Sequence, residues 1–205
     1  MELPRPNLTA ERIYIEYADH YGTDMVERHI RRYLWAQSHL KPTDTVLDAA
    51  CGSGYGSLLL KKRCKAVVGM DISEEAIDYA KDKLNGKKGI DYKQGDLSQI
   101  GFCDLKYEKF DVIVCIEAIE HITEERQNRF LAGVLKRLSC DGRLLITTPI
   151  KQDAPRTEFH VKEFTSDEFR NFLTPCFEEV VFDSPKDYRI SPAHFSLARC
   201  SRPRV

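Results

Sequence analysis

Short apolar runs rich in β-branched residues alternate with amphipathic stretches from Val46 onward. This alternation is typical of βαβ units, in which helices cover both faces of a parallel sheet. Strands that are buried on both faces are apolar along their whole length, and five runs fit that description: 45–50, 66–71, 89–94, 111–116 and 143–148. Two further runs, 177–182 and 194–199, are close enough in sequence to pair antiparallel at the end of the sheet. The sequence predicts an α/β fold with a seven-stranded, mostly parallel sheet, helices on both faces and a C-terminal antiparallel strand.

Helices are predicted between and before these strands, over residues 24–40, 73–84, 123–138 and 166–173. Three of them begin at residues that favour helix N-termini, Ser73, Thr123 and Thr165, and the last has the Thr-x-x-Glu pattern of a capping box. The first helix is expected to lie over the sheet with one side buried, formed by Met25, Ile30, Tyr33 and Leu34.

The length of 205 residues fits one domain, 1–205, with residues 1–40 as a helical lid and residues 41–205 as the core. The first 20 residues are expected to be a loosely docked arm. Tyr14, Tyr17 and Tyr21 of this arm either line a substrate pocket or form the packing face of the lid.

The composition argues against several classes of protein. A formal net charge of -1 provides no overall cationic field for nucleic acid or anionic lipid. We find no signal peptide and no apolar run long enough to span a membrane, so a cytoplasmic protein is expected. The seven cysteines are dispersed and never form a Cys-x-x-Cys pair, which argues against a disulfide framework and against a zinc knuckle.

A glycine-rich turn joins the first strand to a helix at residues 46–56. Glycines let the backbone approach a ligand, and the helix N-terminus offers it N–H groups. The spacing Gly52-x-Gly54-x-Gly56 departs from the dinucleotide pattern, since Ser57 stands where the third glycine would fall. Asp48 precedes the turn, where a carboxylate suits a ligand with an ammonium group better than a pyrophosphate.

Two more carboxylates follow strands in the same way. Asp71 ends the second strand at about the distance where such folds bind a ribose diol, and Asp96 follows the third strand, where it could accept from an adenine amine. Alternatively, Asp71 caps a helix and Asp96 stabilises a turn. A ligand with an amine, a ribose, an adenine and no phosphate corresponds to S-adenosylmethionine.

These motifs together resemble the class I S-adenosylmethionine-dependent methyltransferases, which have a Rossmann-like fold. The family pattern D-x-x-C/G-G-x-G is matched by Asp48, Cys51, Gly52 and Gly54, although Ala50 stands where the family often has its first glycine. The strand-four motif is matched by residues 110–122. Segments such as ERHIRRYLWA and EFHVKEFT are similar to small bacterial or phage enzymes, many of which are thought to modify glycans or other small metabolites.

The resemblance implies an enzyme that binds S-adenosylmethionine and releases S-adenosylhomocysteine. It implies a cofactor site formed by Asp48, Ala50, Cys51, Gly52, Gly54, Asp71, Ile72, Asp96, Leu97, Cys115 and Ile116. In this site Asp48 and the glycines surround the methionine part, Asp71 binds the ribose and Asp96 binds the adenine.

The segment after strand four lacks the N/D-P-P-Y/F sequence of enzymes that methylate amines of bases, which favours a hydroxyl or carboxylate acceptor. Glu117, Glu120 and His121 instead stand at i, i+3 and i+4, where a helical turn would bring them to one face. In one hypothesis the three bind a divalent cation such as Mg²⁺. The ExxEH pattern resembles metal-dependent ubiquinone-biosynthesis O-methyltransferases and small-RNA 3′-terminal 2′-O-methyltransferases. In the other, His121 is the general base, Glu117 borders the cofactor and no metal takes part. A third, structural interpretation is that Glu120 and His121 only cap or pair locally.

His160 lies in the long segment 149–165, which leaves the sheet where a substrate would enter. It is a candidate fourth ligand, a second catalytic base or a loop histidine. The leading hypothesis is an O-methyltransferase that acts on a hydroxyl of a small molecule or glycan. The alternatives are an RNA 2′-O-methyltransferase, which the even charge balance disfavours, and a non-catalytic S-adenosylmethionine-binding regulatory protein.

Overall fold

The structure is a computed structural model that describes residues 8, 12–84, 88–153, 157–184, 188 and 195–204. Within these residues seven strands form one sheet in the order β3-β2-β1-β4-β5-β7-β6. The strands are β1 Thr45–Ala49, β2 Ala66–Asp71, β3 Ile90–Gln94, β4 Phe110–Ile116, β5 Leu138–Pro149, β6 Phe177–Phe182 and β7 Phe195–Pro203. Neighbours from β3 to β5 pair in parallel, whereas β7 is antiparallel to β5 and β6. The predicted Rossmann-like α/β fold with its C-terminal antiparallel strand is confirmed.

The short helix α1 Ala18–Tyr21 contacts the next helix, and the helices that follow it pack against this sheet: α2 Thr23–Ser38, α3 Tyr55–Lys61, α4 Glu74–Leu84, α5 Glu124–Arg137 and α6 Ser166–Leu173. Two apolar cores result from the alternation of side chains along the strands. Leu47 of β1 belongs to one core with α5 and α6, and its neighbour Val46 belongs to the other core with α2 and α3. The sheet is therefore covered on both faces, as the apolar strand sequences predicted.

The buried side of α2 differs from the predicted one. Met25 and Leu34 are 40% and 43% exposed, and the buried stripe instead follows Val26 and Tyr33 at a spacing of seven residues and continues to Leu40 beyond the helix. Met25 and Leu34 each lie one residue away from this stripe, which turns their side chains by about 100°. The prediction of a helix was right and the prediction of its buried face was wrong for these two residues.

The helix starts follow the sequence signals with one exception. Thr165 accepts from the Glu168 N–H at 3.1 Å and Glu168 Oε2 accepts from the Thr165 N–H at 2.7 Å, which completes the predicted capping box. Ser73 Oγ accepts from the Ala76 N–H at 3.2 Å. Thr123 stands at the N-cap of α5, but its side chain makes no capping hydrogen bond.

The N-terminal arm is anchored at Ile13 and Tyr14, contrary to expectation, whereas Ile15, Glu16, Asp19 and His20 are exposed. Tyr14 is 1% exposed and packs edge-to-face on Tyr79, with ring centroids 4.8 Å apart. The backbone is tied as well, because Ser53 Oγ donates to the Ile13 carbonyl at 2.6 Å. Residues 1–7 and 9–11 of the predicted arm, residues 154–156 of the long loop and residue 194 of the last predicted strand lie outside the described residues.

No helix in the described part of the chain has the length and apolar character that crossing a membrane requires.

Candidate active site

The glycine-rich turn after β1 uses backbone conformations that favour glycine. Gly54 has φ 83° at the N-cap of α3, and a Cβ there would come within 2.9 Å of the Ala80 Cβ. Ala50 has φ 66°, so it adopts the left-handed conformation. It stands at the position where the family that the motifs resemble often has glycine. Ala50 therefore adopts a backbone conformation that usually favours glycine.

A cavity of about 350 Å³ lies beyond the carboxyl ends of β1 to β4, where open α/β sheets bind ligands. Most residues predicted to bind the cofactor line it: Ala50, Cys51, Gly52, Asp71, Ile72, Asp96, Leu97 and Ile116. The structure therefore brings together residues that follow four different strands.

Three residues predicted to contact the cofactor, Asp48, Gly54 and Cys115, are not part of the cavity wall. Asp48 is fully buried beneath it and accepts hydrogen bonds from Ser57 Oγ at 2.6 Å and from Tyr33 Oη at 3.2 Å. Burial raises the pKa of Asp48 to about 7. This carboxyl group joins α2 and α3 to β1 instead of facing a ligand directly.

Asp71 has a contact at the start of α4, in keeping with the structural interpretation, and it also lines the cavity. Its Oδ1 accepts from the Ser73 N–H at 3.0 Å at the start of α4, and its Oδ2 accepts from the Gly52 N–H at 2.9 Å. Oδ1 also lies 3.1 Å from Nη2 of Arg12. The side chain thus orders the glycine turn and still faces the cavity.

Asp96 is likewise both a turn residue and a wall residue. Its Oδ1 accepts from the N–H and the hydroxyl of Ser98, each at 2.8 Å, and its Oδ2 accepts from Arg126 Nη2 at 2.6 Å. Partial burial acts to raise the pKa of Asp96, but the Ser98 hydrogen bonds and the Arg126 guanidinium outweigh it, so the pKa is lowered.

Glu117 does not share a helical turn with Glu120 and His121. Its φ is 48°, and only Ile119–His121 form a short 3₁₀ turn. Thr147 of β5 holds Glu117 in this conformation, because its Oγ1 accepts from the Glu117 N–H at 3.2 Å and donates to Oε1 at 2.6 Å. The same Oε1 lies 3.5 Å from Nε of the buried Arg32. The expectation of one helical face carrying all three side chains was wrong.

The structure instead groups Glu120 and His121 with His160. One ligand atom from each lies within 4.8 Å of the other two, and the two imidazole centroids are 5.0 Å apart. The Nδ1 atoms make contacts outside this group: that of His121 lies 3.1 Å from the Phe159 carbonyl oxygen and that of His160 lies 2.5 Å from Glu163 Oε1. We define these three residues as the Glu-His-His cluster.

The Glu-His-His cluster contains a buried carboxyl group. Glu120 is 1% exposed, and Thr148 Oγ1 donates to its Oε2 at 3.3 Å. Burial and the nearby charge of Glu117 raise the pKa of Glu120 well above its usual value. His121 also belongs to the cavity wall, so the cluster borders the predicted cofactor site.

Sequence reasoning missed several residues of the wall, including His29, Tyr55, Arg12 and Arg126. His29 Nδ1 and the Tyr55 hydroxyl form a hydrogen bond. Burial, followed by the nearby Arg32 guanidinium, lowers the pKa of His29 to about 3. The four-residue spacing of His29 and Tyr33 on α2 was the available signal, because it places both on one side of the helix.

The arm tyrosines do not belong to the described wall of the cavity. Tyr14 packs on Tyr79, and Tyr21 Oη donates to the Arg12 carbonyl at 2.7 Å. Of the two interpretations for these residues, the structure favours packing.

Residues 46–142 match the profile of a family described as a methyltransferase domain. A Mycobacterium tuberculosis protein named as a probable S-adenosylmethionine-dependent methyltransferase is 28% identical over 159 residues, covering 73% of this chain and 55% of that protein. The ubiquinone biosynthesis O-methyltransferase of Coxiella burnetii is 30% identical over 118 residues, covering 57% of this chain and 48% of that enzyme. The chain thus spans about half the length of the curated relatives it matches.

Solved structures share the fold. The N-methyltransferase NodS of Bradyrhizobium japonicum, in complex with S-adenosylhomocysteine, is similar with a TM-score of 0.66 and 20% identity, over 87% of each chain. The DhpI–S-adenosylhomocysteine complex is similar with a TM-score of 0.68 and 18% identity, over 92% of this chain and 90% of that one. The matched domain, the shared fold and the motif residues around the cavity agree on S-adenosylmethionine as the cofactor. Over its methyltransferase domain, residues 46–142, the chain is therefore similar to the class I S-adenosylmethionine-dependent methyltransferases.

Proposed function

We propose that the protein transfers a methyl group from S-adenosylmethionine to a hydroxyl oxygen of a small molecule or glycan. The observation that supports this proposal most strongly is the position of the Glu-His-His cluster, which borders the cavity through His121. A hydroxyl is a weak nucleophile until its proton is removed or its charge is stabilised. The His121 imidazole in the cavity wall, with the Glu120 carboxyl group and the His160 imidazole close to it, is a group of side chains that can do this.

The relatives do not decide the acceptor atom by themselves. The Coxiella burnetii relative is named an O-methyltransferase, whereas a Plasmodium falciparum relative, 27% identical over 160 residues, is named a phosphoethanolamine N-methyltransferase. The cluster favours oxygen, because an uncharged amine needs less activation than a hydroxyl.

The order of the strands supports one placement of the cofactor. Asp96 follows β3, Asp71 ends β2 and the glycine turn follows β1, and these strands are neighbours in the sheet. We place the adenine at Asp96, the ribose at Asp71 and the methionine part at residues 50–52. The methyl group then points toward the segment after β4, which carries Glu117 and His121 in the wall.

The Glu-His-His cluster fits a divalent metal ion. Metal-binding histidines usually direct the other ring nitrogen to a carboxylate or a backbone carbonyl, and the Nδ1 contacts of His160 with Glu163 and of His121 with the Phe159 carbonyl follow this pattern. Two imidazoles and one carboxylate suit a first-row transition-metal ion better than Mg²⁺, which prefers oxygen ligands. When bound, such an ion lowers the pKa of a coordinated hydroxyl.

The residues of the cluster have separate tasks in this proposal. Glu120 would supply a carboxylate oxygen, because a bound cation displaces the proton that its raised pKa otherwise retains, and the Nε2 atoms of His121 and His160 would supply the remaining ligands. Glu163 orients the His160 ring. Without a metal, His121 is the residue placed to take the acceptor proton, because it alone of the cluster lines the cavity.

Transfer of labelled methyl from S-adenosylmethionine tests the proposal, with catechols, nucleotide sugars and a short single-stranded RNA as acceptors. We expect O-methylated product from a catechol or a sugar, loss of at least about 100-fold in rate in His121→Ala and little change in the exposed control His20→Ala. Label on RNA alone would replace the proposed acceptor class. Binding of S-adenosylhomocysteine with no transfer to any acceptor would support the regulatory alternative.

Treatment with EDTA separates the two forms of the mechanism. Loss of activity that is restored by Mn²⁺ or Zn²⁺ supports a metal at the Glu-His-His cluster. Full activity after EDTA, together with a large loss in His121→Ala, supports His121 as a base without metal.

A further inference from the structure

The N-terminal arm brings an arginine into the cavity wall. Arg12 Nη2 lies 3.1 Å from Oδ1 of Asp71, and the two side chains are 26% and 6% exposed. The aliphatic stem of Arg12 covers the glycine turn, since its Cγ lies 3.3 Å from where a Cβ on Gly52 would stand. The guanidinium therefore lies between the ribose position and the methionine position of the proposed cofactor placement.

The carboxylate of Asp71 has too few acceptor positions to bind both Arg12 and a ribose. Its two oxygens already accept from the Gly52 N–H, the Ser73 N–H and Arg12. A carboxylate offers about four acceptor positions, and a ribose diol would fill two. The two backbone donors are fixed by the turn and by α4. The flexible side chain of Arg12 is the donor that can leave.

A guanidinium that leaves Asp71 needs another anion. S-adenosylmethionine carries one anionic group, the carboxylate of its methionine part. Arg12 and Arg126 are the arginine or lysine residues in the described wall of the cavity. Arg126 is paired with Asp96 at 2.6 Å, at the adenine end. Arg12 is thus the cation at the methionine end.

We propose that Arg12 binds the α-carboxylate of S-adenosylmethionine, exchanging its bond to Asp71 for one to the cofactor as the ribose takes its place. Arg12 is placed for this exchange by its neighbours. The Arg12 carbonyl accepts from Tyr21 Oη at 2.7 Å, and the next carbonyl, of Ile13, accepts from Ser53 Oγ at 2.6 Å. The backbone of the arm stays anchored while the side chain moves by the length of one hydrogen bond.

The test compares two ligands that differ only in the carboxylate: S-adenosylhomocysteine and its decarboxylated analogue, S-adenosyl-3-thiopropylamine. Affinities are measured by calorimetric titration for the wild type and for Arg12→Gln, Arg12→Lys and Arg28→Gln. Arg28 is the matched control, because it forms an exposed ion pair with Asp24 at 3.1 Å on α2.

We expect the wild type to prefer S-adenosylhomocysteine over the analogue by about 10- to 100-fold, the range of a charge-assisted hydrogen bond. Arg12→Gln should lose that preference through weaker S-adenosylhomocysteine binding, with less than about a threefold change for the analogue. Arg12→Lys should keep part of it, because lysine retains the charge without the planar fork. Arg28→Gln should bind both ligands as the wild type does.

Two results would overturn this assignment while leaving the proposed function intact. An equal loss for both ligands in Arg12→Gln would show that Arg12 supports the glycine turn instead of the carboxylate. Tighter binding of both would show that Arg12 only competes with the ribose for Asp71. The assignment rests on the proposed cofactor placement, so failure of the wild type to bind S-adenosylhomocysteine would overturn both.

Discussion

Nδ1 of His160 lies 2.5 Å from Oε1 of Glu163, and the two side chains are only 10% and 7% exposed. The two residues are three positions apart in a segment without regular secondary structure. The contact therefore fixes the orientation of the His160 ring, which no helix or strand would otherwise hold. The imidazole thus faces Glu163 with Nδ1, while a ligand atom of His160 lies within 4.8 Å of those of Glu120 and His121.

Replacing Glu163 by glutamine should weaken metal binding at the Glu-His-His cluster. The substitution keeps the shape and removes the charge that orients and polarises the His160 ring, so we expect about a tenfold loss of affinity. A titration with Co²⁺, followed by its visible absorption, measures this. Glu158→Gln is the control, since Glu158 is exposed in the same segment. Equal affinities in wild type, Glu163→Gln and His160→Ala would show that the metal binds elsewhere.

Two glycines with nearly equal φ separate backbone strain from steric overlap. Gly22 has φ 80° and open space where a methyl group would stand, whereas at Gly54, with φ 83°, a Cβ would meet the Tyr92 ring at 2.8 Å. Gly22→Ala should cost about 1 to 3 kcal/mol through strain alone. Gly54→Ala should cost about 1 to 3 kcal/mol more through overpacking. Urea unfolding measures both, and equal losses would contradict the steric argument.

The hydroxyl of Thr147 should contribute more to the unfolding free energy than its methyl group does. Thr147→Val removes the donor to Glu117 and leaves a nearly buried carboxylate with one partner fewer, which should cost about 1 to 3 kcal/mol of unfolding free energy. Thr147→Ser keeps the hydroxyl and should cost about 1 kcal/mol or less for the lost methyl. Denaturant unfolding measures the unfolding free energy of both variants. A smaller loss in Thr147→Val than in Thr147→Ser would contradict the role of the hydroxyl as a hydrogen-bond donor to Glu117.

His29 should make the protein less stable as the pH falls. Its pKa is lowered from 6.5 to about 3 in the fold, so between these values the unfolded chain binds a proton that the folded chain does not. The stability contributed by neutral His29 is present above pH 6.5 and is lost as the pH falls toward 3. From about pH 6.5 to about pH 5, wild type should lose about 1 to 2 kcal/mol more than His29→Gln.

Urea unfolding at the two pH values checks this. Asp48, whose raised pKa acts in the opposite direction, is present in both proteins and cancels in the difference. The exposed His20→Gln should follow the wild type. A wild-type loss no larger than that of His29→Gln would show that His29 titrates normally in the folded protein.

The sequence was a reliable guide where local signals and burial agree. The strand at 177–182 and the helix at 166–173, with its capping box at Thr165, have the predicted bounds. The apolar strands predicted the two-sided sheet because a strand that is buried on both faces has no polar alternation.

The sequence was a poor guide where a distant side chain decides the local conformation. Glu117 leaves the helical turn because Thr147, 30 residues later, binds both its backbone and its side chain. Asp48 leaves the cavity wall because Tyr33, 15 residues earlier, covers it from α2. No spacing rule contains such contacts, and Arg12 was missed for the same reason.

The cavity wall draws on residues as far apart in the chain as Arg12 and Phe159. A ligand bound there contacts segments that separate on unfolding. Its binding energy therefore adds to the free energy of unfolding. At a concentration of about 100 times its dissociation constant, such a ligand raises the unfolding free energy by about 2.7 kcal/mol. Binding of S-adenosylmethionine should therefore lengthen the lifetime of the folded protein. Digestion of the arm by a protease should slow as the cofactor concentration rises.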